Sequence, residues 1–291
     1  MHLHTFSIAA CDLNEGAWGV AVASKFLAAG ALVAWAQADA GAVATQALAK
    51  VGYGPDGLTL LAGGRSAEET LAALLQADPQ RSARQVGIVD ARGGAAAHTG
   101  TDCHAWAGQR TGAGYTCQGN LLTGPETLDA MATAFETASG ELADRLLAAL
   151  VAGDRAGGDR RGKQSAALLV VRAGGGYGGD TDRYLDLRVD DDPEPVAALA
   201  RLVAAHHLFF GAPRPEDQLP ITPDIARELQ TLLAAQGYYD GPASGQWDAA
   251  SQRAFWALVG SENLEERWNP ERQPDHIDRV ALDYLRERFG R

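Results

Sequence analysis

The sequence Thr5-Phe-Ser-Ile-Ala-Ala-Cys-Asp12, followed by Leu13-Asn-Glu-Gly16 and Ala17-Trp-Gly-Val-Ala-Val-Ala-Ser-Lys-Phe26, decides the fold. Apolar and β-branched residues fill both outer segments, and the middle segment carries the Asn and Gly of a turn. The pattern therefore predicts a β-hairpin whose first strand opens with Thr5. A threonine hydroxyl at the start of such a strand is a candidate nucleophile.

Beyond this hairpin, apolar runs and Gly or Pro clusters predict a mixture of strands and helices. Ser66 and Glu69 have the spacing of a capping box, which marks the start of a helix. Strands are predicted over residues 31–39, 41–46, 84–90, 95–99, 165–172 and 184–190, with shorter ones at 106–108 and 112–117. Helices are predicted over 58–62, 66–76 and 195–210. Residues 126–151 are predicted to form two helices with a break near 139–140, and residues 52–57 are predicted as a loop.

The character of the chain changes after the linker-like segment Pro213-Arg-Pro-Glu-Asp217. Charge becomes denser and helical patterns replace strand patterns from about Leu219 onward. A length of 291 residues suits one large domain and one small domain. We therefore expect a first domain over residues 1–212 and a helical second domain over residues 213–291.

Composition excludes several classes of function. The chain is 46% hydrophobic and 21% charged, which is typical of globular proteins. Its net charge of −12 opposes binding to nucleic acid or to an anionic membrane, because both require a basic surface. No run approaches the ~20 apolar residues that span a bilayer, and the N-terminus shows no signal peptide. We expect a cytoplasmic protein with neither nucleic acid nor membrane as a partner.

We expect no metal and no cofactor. The three cysteines, Cys11, Cys103 and Cys117, lack metal-ligand spacing and are expected to be reduced. His2 and His4 are assigned to a solvated tail. Residues 157–163 match most of a phosphate-binding loop, but they lead into a predicted strand. Because that motif requires the N-terminus of a helix, nucleotide binding is not expected there.

Polar residues near the ends of several apolar strands carry most of the information about function. A buried polar group must find a partner, so each of these residues could belong to a structural hydrogen-bond network. Together they predict strand ends that meet at one polar pocket, as a nucleophile with oxyanion donors requires. The residues are Thr45, Gln46, His98, Thr99, Gln118, Asn120, Asp159, Arg161, Gln164 and Ser165.

The chain resembles DUF1028, a bacterial and archaeal family of unknown function, over roughly residues 5–210. No single motif carries the resemblance, but the combination is specific. The matching segments are residues 5–26, Gly41-Ala-Val-Ala-Thr-Gln46, Tyr53-Gly-Pro55, Gly57, Arg84-Gln-Val-Gly87, His98-Thr-Gly100, Gln118-Gly-Asn120 and residues 158–171.

The resemblance implies a relationship to N-terminal-nucleophile (Ntn) hydrolases, with which the family is grouped. The implied fold is α+β, a four-layer α-β-β-α sandwich, followed here by a small all-α helical module. In such enzymes the residue that opens the first strand attacks an amide carbonyl, and its own free α-amine is the base. Thr5 is the matching position. Because Met1-His-Leu-His4 precedes it, Thr5 has a free amine only if the chain is cut after His4.

Further residues are assigned to the surroundings of Thr5. Ser24 and Ser165 are substitute nucleophiles, and Lys25 could lower the pKa of a hydroxyl, bind an anion or be a solvated side chain. Asp159 and Arg161 complete the predicted catalytic set. Substrate binding is assigned to Thr45, Gln46, His98, Thr99, Gln118, Asn120 and Gln164.

The tail resembles a peptidoglycan-binding-like module over residues 225–255. The pattern is a helix, a Gly-Tyr-Tyr-Asp-Gly turn, a Gly-x-Trp-Asp cap and a second helix. Gly237 is expected at the C-terminal cap of the first helix, and Asp248 at the N-terminal cap of the second. Residues 279–289 would add a third helix. The resemblance implies a cell-wall glycopeptide ligand, with packing, dimer contact or binding of recycled wall fragments as open roles.

The sequence as a whole predicts an Ntn-type amidohydrolase that acts on a small amide or peptide-like substrate. The alternative is a non-catalytic ligand-binding protein on the same scaffold, whose helical module binds wall fragments or dimerises. The Ala- and Gly-rich strands and the apolar helices also favour a homodimer.

Overall fold

The computed structural model describes residues 5–211 and 213–290. Residues 1–4 lie outside this part, so the assignments made for His2, His4 and the segment before Thr5 remain predictions. The chain divides into two compact units, residues 1–203 and 204–291. The boundary falls inside one helix, several residues before the predicted boundary at 212.

The first unit contains ten strands and the second contains two, counted over the described residues. They are β1 Thr5–Asp12, β2 Ala17–Ser24, β3 Ala34–Gln37, β4 Gly41–Ala47, β5 Arg84–Asp90, β6 Ala95–Thr99, β7 Gly108–Gly112, β8 Tyr115–Gly119, β9 Ser165–Arg172, β10 Arg183–Val189, β11 Gln218–Pro220 and β12 His276–Asp278.

Nine α-helices accompany these strands in the same described ranges. They are α1 Gly30–Val33, α2 Tyr53–Ala62, α3 Ala67–Gln76, α4 Glu126–Thr137, α5 Leu142–Arg155, α6 Pro195–Phe210, α7 Pro223–Ala235, α8 Ala249–Ser261 and α9 Arg279–Phe289.

The strands of the first unit form two antiparallel sheets. One has six strands in the order β10-β9-β2-β1-β8-β7, and the other has four in the order β3-β4-β5-β6. The predicted hairpin lies at the centre of the larger sheet, with Thr5 paired to Ser24 across β1 and β2. Thr5 therefore begins a strand that has a neighbour on each side.

The two sheets face each other, and each carries helices on its outer face. Along β1, Phe6 and Ile8 pack with α4 and α5, whereas Ala9 and Cys11 pack between the sheets. This alternation follows from the period of two in a strand. The outer face of the smaller sheet is covered by α2 and α3. The predicted four-layer α-β-β-α sandwich is thus confirmed.

Three local predictions were wrong. The short strands expected at 106–108 and 112–117 lie instead at Gly108–Gly112 and Tyr115–Gly119. Residues 31–33 belong to the short helix α1 and not to a strand. In the segment predicted as a loop at 52–57, Gly52 is the N-cap of α2 and residues 53–57 form the first half of that helix. The helix tolerates Pro55 because the first N–H groups of a helix have no carbonyl partner within it, so the missing proline N–H costs nothing.

The second unit contains α7, α8, α9 and the end of α6 and has its own core, in which the rings of Phe255 and Trp268 meet edge to face at 4.7 Å between centroids. Asp248 caps α8 as predicted, because its carboxylate accepts the N–H of Ser251. The strands β11 and β12 add a short ribbon that the sequence did not predict. Across both units, none of the described helices is long and apolar enough to cross a membrane.

Candidate active site

The space between the two sheets is apolar at one end and polar at the other. On β1 the inward-facing positions change from Cys11 and Ala9 to Ser7 and Thr5 as the strand is followed back to its start. The facing strands contribute amides at the same end, so polar groups meet in a fully buried region. The buried members are Thr5, Ser7, Ser24, Gln46, Gln85, Thr116, Gln118 and Asn120.

Thr5 is held by hydrogen bonds to both its side chain and its backbone. Its Oγ1 donates to Oγ of Ser24 at 3.2 Å. Its carbonyl oxygen accepts the backbone N–H of Asn120 at 3.0 Å and Nε2 of Gln46 at 3.3 Å. None of its surface is exposed. The start of β1 is therefore fixed in position, with the Thr5 hydroxyl beside a second hydroxyl.

A chain of amide hydrogen bonds connects the two sheets behind Thr5. Gln46 accepts from Oγ of Ser7 at 2.6 Å and donates to Oε1 of Gln85 at 2.9 Å. The same Gln85 oxygen accepts Nδ2 of Asn120 at 2.9 Å. Gln118 donates from Nε2 to Oγ of Ser7 at 2.6 Å. Because a buried polar group without a partner is costly, such mutual satisfaction is what stabilises this polar interior.

The network depends on a glycine in the facing sheet. A Cβ atom at Gly87 would lie 2.0 Å from Oε1 of Gln118. That distance is far inside van der Waals contact. Gly87 therefore leaves the space in which the Gln118 amide lies.

Asp159 is buried beside the end of β2, and its carboxylate accepts at least four hydrogen bonds. Its Oδ2 accepts the backbone N–H of Lys25 at 3.1 Å and Nη2 of Arg161 at 2.7 Å. Its Oδ1 accepts the N–H and Nε of Arg161 at 3.0 and 3.1 Å. The ammonium group of Lys25 donates to the carbonyl of Lys163 at 3.2 Å. These contacts fix the segment after Ser24 onto the loop that precedes β9.

A small cavity of about 60 Å³ lies next to this segment. Ser24, Asp154, Asp159 and Lys163 are among its polar lining residues, and Phe6 and Ala23 contribute apolar atoms. A cavity of this volume can hold one or two water molecules or a small group that carries a methyl. Because Phe6 and Ala23 belong to the core on the helical side of the larger sheet, the cavity lies on that side, and the Thr5 hydroxyl lies on the opposite face, between the sheets.

Two further predicted residues, Ser165 and Gln164, have structural contacts. Oγ of Ser165 donates to the carbonyl of Phe26 at 2.6 Å and accepts the N–H of Ala29 at 3.1 Å. Nε2 of Gln164 donates to the carboxylate of Asp191 at 3.1 Å. Ser165 thus holds the loop after β2.

Thr45 and His98 face away from Thr5. Each is the neighbour of an inward-facing residue, Gln46 or Thr99, and consecutive strand residues point to opposite faces of a sheet. Oγ1 of Thr45 donates to the carbonyl of Lys50 at 3.3 Å. Nε2 of His98 lies 2.9 Å from the carbonyl of Arg81. The structure therefore brings Gln46, Gln118 and Asn120 to Thr5 but places these two side chains on the helical side.

Sequence reasoning missed three members of the polar region: Ser7, Gln85 and Thr116. A signal was present, because Thr5 and Ser7, and likewise Thr116 and Gln118, are polar residues two positions apart on otherwise apolar strands. Counting every second residue from Thr5 would have identified Ser7.

Comparisons with known proteins agree with the sequence resemblance. A family model described as "Family of unknown function (DUF1028)" matches residues 5–199. Among solved structures, a crystal structure of protein SPO2555 from Silicibacter pomeroyi, from the same family, is 33% identical. The match covers 72% of this chain and 91% of that chain, with a TM-score of 0.64.

A second family model, described as "Putative peptidoglycan binding domain", matches residues 209–285. Both predicted resemblances are therefore confirmed. No curated protein matches the chain at a significant level.

Proposed function

Because the chain belongs to the DUF1028 family, whose function is unknown, we propose an activity from its own site: an Ntn-type amidohydrolase acting on a small amide or peptide-like substrate. Thr5 is the proposed nucleophile. The observation that carries this proposal is the position of Thr5. It opens the central strand at the polar end of the sandwich, with its hydroxyl 3.2 Å from Ser24 and its carbonyl held by two donors.

The chemistry requires cleavage of the bond between His4 and Thr5. The freed α-amine then takes the proton from Oγ1 as this oxygen attacks the substrate carbonyl. The tetrahedral oxyanion collapses to an ester on Thr5, and the substrate amine leaves with the proton. Water, activated by the same α-amine, hydrolyses the ester and restores the hydroxyl. The contacts to the Thr5 carbonyl support this role because they hold the reacting residue in one orientation.

One observation favours the alternative, a protein that binds a ligand without catalysis. Thr5 is completely buried and its hydroxyl already donates to Ser24. If residues 1–4 stay attached, Thr5 has no free amine, and the polar residues near the sheet edge would act in ligand binding alone.

Intact-mass spectrometry and a matched set of variants test the proposal. The chain starting at Thr5 is compared with the full chain on a panel of small amides and di- and tripeptide amides. We expect turnover only from the chain that starts at Thr5. Thr5→Ser should retain a measurable rate, whereas the isosteric Thr5→Val should lose at least 100-fold because it lacks the attacking oxygen. Equal turnover by the Thr5→Val chain and by the unaltered chain that starts at Thr5 would contradict the role of Thr5.

We further propose that the second domain binds a peptidoglycan fragment. We also propose that the protein is a cytoplasmic homodimer. The matching family model supports the first statement, and three free cysteines support a reducing location. Sedimentation of the full chain at micromolar concentration, with and without muropeptides, tests both the dimer and the ligand.

A further inference from the structure

An open groove of about 520 Å³ runs along the outer edge of β6. One wall is the end of β6 and the residues that follow it, and the other is the segment that leads into β7. Thr99 and Gln109 meet in the groove through a hydrogen bond of 2.8 Å. The lining residues are Ala97, His98, Thr99, Gly100, Thr101, Cys103, Ala105, Ala107, Gly108 and Gln109.

The backbone of β6 has unused hydrogen-bonding groups on this side. β6 is the last strand of its sheet and pairs only with β5 among the described strands. The N–H of Gly100 donates to Arg84, so by the antiparallel alternation the backbone groups of Ala97 and Thr99 point outward. The carbonyl of Ala97 accepts Nε2 of Gln109 at 2.9 Å. Within the described residues, the Ala97 N–H and both backbone groups of Thr99 have no partner.

The groove lining indicates what could pair with this edge. It carries no Asp, Glu, Lys or Arg, so it offers no attraction to a charged ligand. Half of its residues are Ala or Gly, which allows another backbone to approach closely. These properties match an extended peptide with small, uncharged side chains, held by main-chain hydrogen bonds.

The groove is also close to Thr5. Gly108 pairs with Gly119, and Gly119 pairs with Phe6. Gly108, which lines the groove, is therefore two strand spacings, or about 10 Å, from Phe6, the residue that follows Thr5. A stretch of about three extended residues covers that distance. In addition, Nε2 of Gln85 donates to Oγ1 of Thr99 at 3.0 Å and to the carbonyl of Gly108 at 3.1 Å, which joins the groove to the polar network.

We propose that this groove binds a peptide substrate, which adds a strand beside β6. The peptide residues in the groove would be uncharged and would lie about three positions from the amide bond that Thr5 attacks. The inference rests on the proposed function and deepens it, because it makes the substrate a peptide and not a small amide alone. The edge supplies two donors and one acceptor to the peptide main chain.

The test uses the full chain carrying Thr5→Val, so that the probe is not consumed, and acetyl-Ala-Ala-Ala-Ala-amide as the probe. Ala97→Pro removes an outward N–H that β5 does not use, and Ala95→Pro does the same on that edge outside the groove. We expect Ala97→Pro to weaken binding at least 10-fold in calorimetry and Ala95→Pro to change it less than 2-fold. The probe should also slow alkylation of Cys103, which lines the groove.

A second measurement remains valid even if Ala97→Pro does not fold. A probe methylated at alternate amide nitrogens should bind the Thr5→Val chain at least 10-fold more weakly than the plain probe, because it cannot complete the ladder. Equal binding of both probes, or no binding at millimolar concentration, would overturn the proposal. So would a dimer that Ala97→Pro dissociates, since a second copy would then fill the groove.

The two proposals fail in different ways. Hydrolysis of small amides by the chain starting at Thr5, without peptide binding, would overturn the groove and leave Thr5 as the nucleophile. Peptide binding that responds to Ala97→Pro, in a chain whose exposed Thr5 gives no turnover, would overturn catalysis and leave the groove.

Discussion

At the scale of single residues, the polar end of the sandwich depends on groups that satisfy one another. Gln46, Gln85 and Gln118 are all fully buried; Gln46 and Gln85 form hydrogen bonds across the inter-sheet space, and Gln118 bonds to Ser7 and Thr116 within its own sheet. Removing one amide leaves its neighbours buried without a partner, which costs about 1–3 kcal/mol for each group left unsatisfied. The arrangement therefore holds as a unit or is lost as a unit.

Gly87→Ala tests this dependence without removing any polar group. Its Cβ would lie 2.0 Å from Oε1 of Gln118, so either the amide or the strand must move. We expect a loss of about 1–3 kcal/mol in the free energy of unfolding, measured in urea, because overpacking combines with broken hydrogen bonds. Gly52→Ala is the control, since its Cβ would find only an ordinary contact at 3.5 Å. Equal stability of the two variants would contradict this account of Gly87.

At the scale of elements, the sequence predicted the hairpin, the capped helix α3 and the division of α4 from α5. These elements have strong local signals: a turn flanked by apolar runs, the Ser66–Glu69 capping box and a break at Gly140. The start of α2 was missed because Gly and Pro usually mark a loop, and only the helix position of Pro55 makes it harmless.

The candidate site could be predicted only in part. Neighbours along the chain, such as Gln46 and Thr45, were assigned together, although a strand separates them onto opposite faces. Gln85 was missed because its role arises from contacts with distant segments, Asn120 at the end of β8 in the facing sheet and Gln46 on the neighbouring strand β4. Such contacts between distant segments depend on register and layer packing, which no local pattern contains.

One buried carboxylate joins several elements around the smaller sheet. Oδ2 of Asp78, which follows α3, accepts Nε of Arg84 on β5 at 2.8 Å and the hydroxyl of Tyr53 on α2 at 2.9 Å. The guanidinium of Arg84, with smaller contributions from Gln80 and Tyr53, holds the pKa of the Asp78 carboxyl well below its usual 3.8. Burial opposes this shift but does not outweigh it.

This lowered pKa predicts a specific dependence of stability on acid. Because the unfolded chain takes up a proton on Asp78 at higher pH than the folded chain does, stability is present above about pH 3.8 and is lost as the pH falls toward the folded pKa. Asp78→Asn should therefore be less stable at pH 7 and should show a shallower loss of stability below pH 4, measured by urea unfolding at each pH. The exposed Asp180→Asn serves as the control and should keep the original slope.

At the scale of the whole molecule, the two units have separate cores. Leu150 lies in the core of the first, and Leu258 lies in the core of the second. Each is fully or almost fully buried, so truncation to Ala should cost about 2–5 kcal/mol within its own core.

We expect these two truncations to separate the unfolding of the units. In calorimetry of the full chain, Leu150→Ala should lower the melting temperature of one transition, and Leu258→Ala should lower that of the other. A single transition that shifts equally with both variants would show that the units unfold together, contrary to this expectation.

The buried network behind Thr5 consists of hydroxyls and carboxamides. This composition determines how a reaction at Thr5 would depend on pH and on salt. Neither group gains or loses a proton across the range in which proteins stay folded. The hydrogen bonds that orient Thr5 are accordingly indifferent to acidity, and, being uncharged, they escape screening by dissolved salt. Any titration seen in the rate would then report the terminal amine, the substrate or charges outside the network.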